Sequence, residues 1–178
     1  MSDRISDNYD PTPDDVRAWG YDDDLMFMSQ DEDLLLYGTM YFPVLLELAG
    51  DENCRKGGYA FSILCEFSRE QVTRGGTAST ARLRAAWQSL PPPFGRLPVE
   101  WHRYVGRLLA YTEPTGPVGH DAARRMAEEL LLGESRVGTI TESPPPIAGW
   151  WRFTLRTSFT EHIDVCEATG AFSYLRDY

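Results

Sequence analysis

Two runs of consecutive carboxylates are the residues of this chain that most directly suggest chemistry. They are Asp22-Asp23-Asp24 and Asp31-Glu32-Asp33. Hard cations need several convergent carboxylate oxygens, and a calcium loop spaces them as Asp-x-Asp-x-Asp-Gly with a Glu at position twelve. That spacing is absent, and adjacent residues of a helix or strand point in different directions. We therefore predict no metal site here and interpret both runs as a solvated or docking surface.

The histidines and potential nucleophiles lack the spacing that catalysis needs. His102, His120 and His162 form neither His-x-x-x-His nor His-x-His, and each is more typical of a surface or interface histidine than of a catalyst. No Gly-x-Ser-x-Gly elbow occurs. Cys65 lies in the most apolar predicted helix, where burial makes a thiol inert. We predict no catalytic residue and no cofactor, and we favour a non-catalytic protein over an enzyme.

Phosphate recognition has two sequence candidates. Gly57-Gly58 and Gly75-Gly76 match neither Gly-x-x-x-x-Gly-Lys nor Gly-x-Gly-x-x-Gly, so they predict no standard nucleotide loop. Seven arginines accompany two glutamates between Phe67 and Thr112, which could form a basic helical face for nucleic acid. The overall net charge of −10 opposes long-range attraction to phosphates. We favour arginine stems that cover the edge of an aromatic core, and we expect no nucleic-acid partner.

The negative charge is concentrated at the N-terminus. Eleven of the first thirty-three residues are Asp or Glu, and only Arg4 and Arg17 oppose them. The rest of the chain is close to neutral. Residues 1–33 are therefore predicted to form an acidic arm that contains one short helix. This arm serves solvation or docking to a partner, or it lies across the arginine-bearing face of its own domain or of a neighbour's.

Composition and length indicate a folded protein. With 178 residues, 42% of them apolar and 12% aromatic, the chain can bury one main core. The odd number of cysteines, Cys54, Cys65 and Cys166, suits a reducing compartment in which they act as small buried hydrophobes. No apolar run approaches the roughly 18 residues of a membrane span, and Met1 to Asp10 is unlike a signal peptide. We expect a cytoplasmic protein without membrane contact.

Helical patterns extend over most of the chain. Thr12 is a predicted N-cap and Pro13 the first residue of a short helix that reaches about Trp19 or Tyr21. Apolar side chains then recur at helical spacing, which predicts a bundle or a helical-hairpin stack over residues 34–142. Thr77 or Ser79 is expected to cap one of these helices. Four of the predicted helices cover about 41–49, 55–73, 98–111 and 119–132, and the one that Thr77 or Ser79 caps is ended by Pro91-Pro92-Pro93.

The pattern changes from helical to alternating after a proline-rich connector at Ser143-Pro144-Pro145-Pro146. Trp151, Phe153 and Leu155 share one face of a predicted strand, and Ile163 with Val165 begins a second. The turn Ala168-Thr169-Gly170 leads to a third, because Gly170 can adopt positive φ. A further strand is expected near residues 136–141. The prediction is an α+β fold whose residues 143–178 form the connector and a small antiparallel β-meander packed on the helices.

The first half of the chain is similar to a group of known sequences. The stretches concerned are Asp10-Pro11-Thr12-Pro13-Asp14-Asp15-Val16-Arg17-Ala18-Trp19, Asp33-Leu34-Leu35-Leu36 and Leu45-Leu46-Glu47-Leu48-Ala49-Gly50-Asp51, with Cys54. They resemble small acidic actinobacterial proteins of unassigned activity, over about residues 10–75. The resemblance implies a bacterial cytosolic origin and transfers no catalytic residue.

Two functional hypotheses follow. The preferred one is a protein-binding module, of immunity or antitoxin type, that contacts a basic protein through Asp22, Asp23, Asp24, Asp31, Glu32 and Asp33. The alternative is a small-molecule-binding protein or enzyme with an aromatic pocket between helices and sheet, lined by Trp87, Trp101, His102, Trp150 and Trp151. Both hypotheses leave the oligomeric state open.

Overall fold

A computed structural model of the chain describes residues 11–22, 36, 38–90, 95–113, 116–133 and 138–177. In these ranges six α-helices precede four strands, which confirms the predicted α+β class. The helices are α1 (Pro13–Tyr21), α2 (Phe42–Gly50), α3 (Gly57–Thr73), α4 (Gly76–Ser89), α5 (Arg96–Tyr111) and α6 (His120–Leu132). The strands are β1 (Ile140–Ser143), β2 (Trp150–Arg156), β3 (Thr160–Cys166) and β4 (Phe172–Asp177). A short 3₁₀ helix, Thr39–Tyr41, leads into α2.

The chain divides into two compact units, and each unit combines two separate stretches of sequence. Unit 1 comprises Met1–Ser68 and Ala81–Val105, and unit 2 comprises Arg69–Thr80 and Gly106–Tyr178. Helices α3, α4 and α5 therefore contribute residues to both units. In the part of the chain that the structure describes, no helix is long and apolar enough to cross a lipid bilayer.

Helix α1 of unit 1 begins as its sequence predicts. The Thr12 hydroxyl accepts a hydrogen bond from the Asp15 N–H at 3.2 Å, and the Asp15 carboxylate accepts one from the Thr12 N–H at 2.8 Å. This reciprocal capping box satisfies two backbone donors that have no partner inside the helix. Near the end of α1, a Cβ at Gly20 would lie 2.3 Å from Leu48 Cδ2, so glycine permits α1 to approach α2 closely.

Aromatic side chains from three helices meet in the core of unit 1. Phe42 of α2 packs edge-on against Phe67 of α3 and against Trp101 of α5, with ring centroids 5.5 and 5.3 Å apart. The buried indole N–H of Trp101 donates to the Ser68 hydroxyl at 3.1 Å and to the Leu64 carbonyl at 3.3 Å. Burial of large rings with a satisfied polar group explains why these helices pack here.

The N-cap predicted for the fourth helix is wrong. Helix α4 begins at Gly76, so Thr77 and Ser79 lie inside its first turns instead of preceding it. Gly76 has a φ of 66°, a conformation that glycine adopts without steric cost. Ser79 is buried, and a Cβ at Gly75 would lie 2.4 Å from the Ser79 Cβ. The glycines at 75 and 76 thus allow a shorter connection between α3 and α4 than an N-cap at Thr77 or Ser79 would give.

The four strands of unit 2 form an antiparallel meander in the order β1-β2-β3-β4. Ile140 pairs with Leu155, Phe153 with Ile163, and Ile163 with Tyr174. The additional strand expected near residues 136–141 is present as β1, although it begins only at Ile140. Gly170 has a φ of 74° in the turn before β4, as its position predicts.

One face of this sheet packs against α6. Phe153, Ile163 and Val165 are fully buried on that face, and α6 contacts both β2 and β3. The residues of α6 that are buried recur at helical spacing and are Ala123, Met126, Ala127, Leu130 and Leu131. Helix and sheet thus bury matching apolar faces, which is how a small meander gains stability that a hairpin alone lacks.

Candidate functional site

Most of the predicted acidic binding residues lie outside the described residues. These are Asp23, Asp24, Asp31, Glu32 and Asp33. Asp22 is described: it is exposed and follows the last turn of α1, where its N–H donates to the Trp19 carbonyl at 3.2 Å. The first acidic run therefore begins where α1 ends, and the role of both runs stays a prediction.

Carboxylates from two helices of unit 1 meet at Arg17. The Arg17 guanidinium donates to both carboxylate oxygens of Glu47 in α2, at 2.8 and 2.9 Å, and also to Asp14 in α1. These hydrogen bonds, that to Glu47 first, raise the pKa of Arg17. The Asp14 side chain remains 89% exposed and that of Glu47 44% exposed. One arginine thus holds two acids, Asp14 and Glu47, that come from different helices on a single exposed surface.

A second contact extends this surface to the turn after α2. The Tyr21 hydroxyl donates to Asp51 at 2.7 Å, and the Asn53 N–H donates to the same carboxylate at 2.8 Å. The Asn53 N–H, followed by Tyr21, lowers the pKa of Asp51, while the hydrogen bond to Asp51 raises the pKa of Tyr21 to about 12. We call Asp14, Asp15, Asp22, Glu47 and Asp51 the acidic surface. Glu47 and Asp51 were missed in the sequence because Glu47 is a single acid in an apolar helix and Asp51 has only one acidic neighbour, Glu52.

The aromatic residues predicted to line a pocket have separate structural surroundings. In unit 1, Trp101 is fully buried, so it presents no surface to a ligand. Trp87 stacks on His102 with centroids 4.5 Å apart, and its indole N–H donates to the His102 carbonyl at 3.1 Å. These contacts join α4 to α5 and account for both side chains without a ligand.

Trp150 and Trp151 belong to unit 2, where both are half-buried in β2. The two side chains point to opposite faces of the sheet because they are adjacent in a strand. On the α6 side, the His120 ring lies edge-on to Trp151 with centroids 5.9 Å apart, and its Nε2 is 3.0 Å from a Glu142 oxygen. That hydrogen bond raises the pKa of His120. A ligand pocket lined by the other predicted aromatic residues stays a prediction.

The opposite face of the sheet carries a chain of hydrogen bonds with the chemistry of a catalytic relay. Ser143 Oγ lies 2.9 Å from Thr154 Oγ1, and Thr154 Oγ1 lies 2.8 Å from His162 Nδ1. His162 Nε2 lies 3.2 Å from Asp177 Oδ2. A hydroxyl, an imidazole and a carboxylate in this order can activate a nucleophile. Thr154 is only 1% exposed, so its hydroxyl is shielded from solvent, and the hydrogen bonds join β1, β2, β3 and β4.

A cluster of charged side chains surrounds Arg74 at the end of α3, in unit 2. The Arg74 guanidinium donates to Glu70 at 2.7 Å, to Glu161 of β3 at 2.9 Å and to the Tyr174 hydroxyl of β4 at 3.1 Å. The Tyr174 hydroxyl in turn donates to Glu161. Burial favours the neutral form of Glu161, but the hydrogen bonds from Tyr174 and Arg74 prevail and lower its pKa. The carboxylate is therefore ionised, and it fixes both neighbouring side chains.

An open cavity of about 300 Å³ lies beside this cluster. Its walls are Thr73, Arg74, Tyr174 and Arg176. Arg176 pairs with Glu161 across β3 and β4, and its guanidinium carbon lies 3.8 Å from the centroid of the Phe159 ring. Two arginines thus share one cavity although they are about one hundred residues apart, which is why no local sequence pattern indicated this site.

Clusters of metal ligands are absent from the described ranges, whereas the hydrogen bond with the Thr169 side chain lowers the pKa of the Cys166 thiol. No group of three or more His, Cys, Asp or Glu side chains there could hold a metal ion. Cys54 and Cys65 are buried as predicted, whereas Cys166 is only half-buried because it ends β3 at the turn.

Comparisons of the chain with protein-family models, with curated proteins and with solved structures found no match.

Proposed function

We propose that the protein is a non-catalytic binding protein that recognises a basic protein through its acidic surface. Residues 11–53 contain eleven Asp or Glu residues and a single basic one, Arg17. The observation that carries the proposal is the convergence of carboxylates from α1, α2 and the following turn around Arg17 and Tyr21. A surface of one charge sign accelerates association with a partner of opposite sign and disfavours other partners.

The electrostatics of this surface support recognition at neutral pH. Hydrogen bonds from the Thr12 backbone and side chain lower the pKa of Asp15, and those from Asn53 and Tyr21 lower the pKa of Asp51. Both carboxylates are therefore ionised well below pH 7. Because they are also hydrogen-bonded to the protein, they are held in place before a partner arrives, which reduces the entropy lost on binding.

A concrete form of this proposal is an immunity-type or antitoxin-like protein. Its acid-rich segment would cover a basic toxin, or mask the surface with which that toxin binds nucleic acid. Nuclease-type toxins carry arginine and lysine side chains that neutralise phosphates, and carboxylates are the protein groups that can replace those phosphates. Such a function requires no catalytic residue and no cofactor on this chain.

The test is capture of partners followed by measurement of affinity. The full chain and the variant Asp14→Asn/Asp22→Asn/Glu47→Gln, which removes three negative charges from the acidic surface, are immobilised and exposed to a lysate of the source bacterium, and the retained proteins are identified and purified. We expect a basic protein whose dissociation constant increases with salt concentration and increases at least about tenfold for the variant. A retained partner that binds both forms equally, or no retained partner, contradicts the proposal.

A matched variant controls for net charge. Asp121→Asn/Glu128→Gln/Glu167→Gln also removes three negative charges, but from unit 2. Its affinity for the purified partner should remain within about twofold of the unmodified chain, apart from the small effect of net charge on association. Equal weakening by both triple variants would show that total charge, and not the acidic surface, governs binding.

A further inference from the structure

The hydrogen bonds that join Ser143, Thr154, His162 and Asp177 have a defined direction, and we call these four residues the relay. An ionised carboxylate only accepts hydrogen bonds, so His162 Nε2 carries the hydrogen of the neutral imidazole where it meets Asp177. Nδ1 is then an acceptor, and the Thr154 hydroxyl donates to it. The Thr154 oxygen in turn accepts from the Ser143 hydroxyl. The Ser143 proton is therefore directed, through one hydroxyl, toward a base.

Ser143 is the end of the relay that a reactant can reach. Thr154 is buried and the His162 side chain is only 12% exposed, whereas Ser143 is half-buried. Ser143 is also the last residue of β1, which forms one edge of the sheet in the described ranges. Hydrogen bonds in a chain polarise one another. The Ser143 oxygen is thus the atom of the relay that is both polarised and accessible.

We infer that Ser143 is a nucleophile that accepts an acyl group from an activated acyl donor, a thioester or an aryl ester. A bond forms between Ser143 Oγ and the carbonyl carbon, and the bond from that carbon to the leaving group breaks. The Ser143 proton moves to Thr154 while the Thr154 proton moves to His162 Nδ1. The protonated imidazole then returns a proton through Thr154 to the leaving group, so atoms and charges balance.

Two other hydroxyl groups on this face of the sheet lack a base. Thr141 Oγ1 donates to the Thr154 backbone carbonyl at 3.4 Å, and a carbonyl cannot take up its proton. Ser173 lies opposite Asp164 in the register of β3 and β4, is exposed, and is not part of the relay. Cross-strand polar contacts stabilise a sheet without any base at their end. Comparison of Ser143 with Ser173 therefore separates activation from exposure.

The inference goes beyond the proposed function and does not depend on it. Acylation of Ser143 is a modification of this chain that requires no turnover, so it is compatible with a non-catalytic binding protein. The relay belongs to unit 2, whereas the acidic surface belongs to unit 1. Loss of one activity therefore leaves the other open to measurement.

The test exposes the full chain to p-nitrophenyl acetate. Release of p-nitrophenolate gives the rate, and mass spectrometry of peptides from the acid-quenched reaction identifies the acetylated residues. We expect Ser143 to react at least about tenfold faster than Ser173. Ser143→Ala should remove the fast release, whereas Ser173→Ala, the matched control, should leave it unchanged. Release that is the same in Ser143→Ala as in the unmodified chain, or equal acetylation of both serines, would overturn the inference.

Variants of the relay distinguish proton transfer from a structural role. Thr154→Val keeps the shape of the side chain without its hydroxyl and should slow the reaction at Ser143 at least about tenfold, whereas Thr154→Ser restores a hydroxyl and should recover most of the rate. The Asp177 side chain is 72% exposed, so Asp177→Asn leaves the core intact. It should also slow the reaction, because an amide does not fix the imidazole tautomer.

The melting temperature of each variant is measured beside its rate. Unchanged rates in Thr154→Val and Asp177→Asn would contradict activation through the relay. If Thr154→Val does not fold, the rate of Asp177→Asn decides.

Discussion

Individual polar side chains join segments that are distant in the sequence. Arg17 and Tyr21 each contact a carboxylate thirty residues away, and Arg74 contacts Glu161 eighty-seven residues away. Local patterns predicted the Thr12 cap correctly, because both of its partners lie within one helical turn. They could not predict the Arg74 cluster, because its members come together only when α3 packs beside β3 and β4. For the same reason the sequence did not predict that Glu47 and Asp51 belong to the acidic surface, because each lies thirty residues from the side chain that it contacts.

His120 should make the stability of the protein depend on pH near neutrality. The hydrogen bond to Glu142 raises the folded-state pKa of His120 above the ordinary value of about 6.5. The stabilisation is therefore complete below pH 6.5 and is lost as pH rises through the folded-state pKa. In Glu142→Gln the histidine pKa, followed by NMR, should fall toward 6.5, and the melting temperature should depend less on pH in this range. An unchanged histidine pKa in that variant would contradict the assignment of the contact.

At the scale of elements, periodicity was the most informative signal. Helices α2, α3, α5 and α6 lie within two residues of their predicted bounds at each end, because each presents an apolar stripe that must be buried. Strands β2 and β3 are present where the alternation predicted them, but they are not half-buried at their centres, because Thr154 and Asp164 on the second face are buried as well. The predicted start of α4 was wrong. Thr77 and Ser79 are typical capping residues, but the glycines at 75 and 76 allow the helix to begin earlier, at Gly76. Close packing between elements overrides local capping preference in this case.

The contact between α6 and the sheet should contribute much of the stability of unit 2. Phe153 is fully buried and faces α6, so Phe153→Ala removes a large apolar contact and leaves a cavity. We expect the free energy of unfolding to fall by about 3 to 5 kcal/mol, measured by urea denaturation. Leu175 of β4 is 45% exposed on the opposite face, and Leu175→Ala should cost less than about 1 kcal/mol. Similar costs for both substitutions would contradict the packing described for this sheet.

For the molecule as a whole, the carboxylates with lowered pKa predict sensitivity to acid. Folding lowers the pKa of Asp15, Asp51 and Glu161 through hydrogen bonds. Their stabilisation is complete above the ordinary carboxylate pKa of about 4 and is lost as pH falls through the folded-state values. Urea denaturation at decreasing pH should show a falling free energy of unfolding below about pH 5. Tyr21→Phe removes one donor to Asp51, and its slope against pH should be shallower; an identical slope would exclude Asp51 as a contributor.

The overall class could be predicted from sequence, but the candidate sites could not. An α+β fold follows from the change of apolar period between Leu132 and Trp151, which is a local property of the chain. The acidic surface was recognised only in part, since its composition is visible in the sequence but its extension to Glu47 and Asp51 is not. The Arg74 cavity depends on the register that sets Arg176 opposite Glu161, and no local pattern specifies that register.

The interleaved composition of the two units has a consequence for the history of the gene. Residues 69–80 belong to unit 2 but precede residues 81–105 of unit 1, so no single cut in the polypeptide separates the units. A gene fragment that encodes one unit completely must also encode part of the other. Neither unit is therefore encoded as a contiguous cassette, and a single crossover within the gene cannot transfer one unit without part of the other.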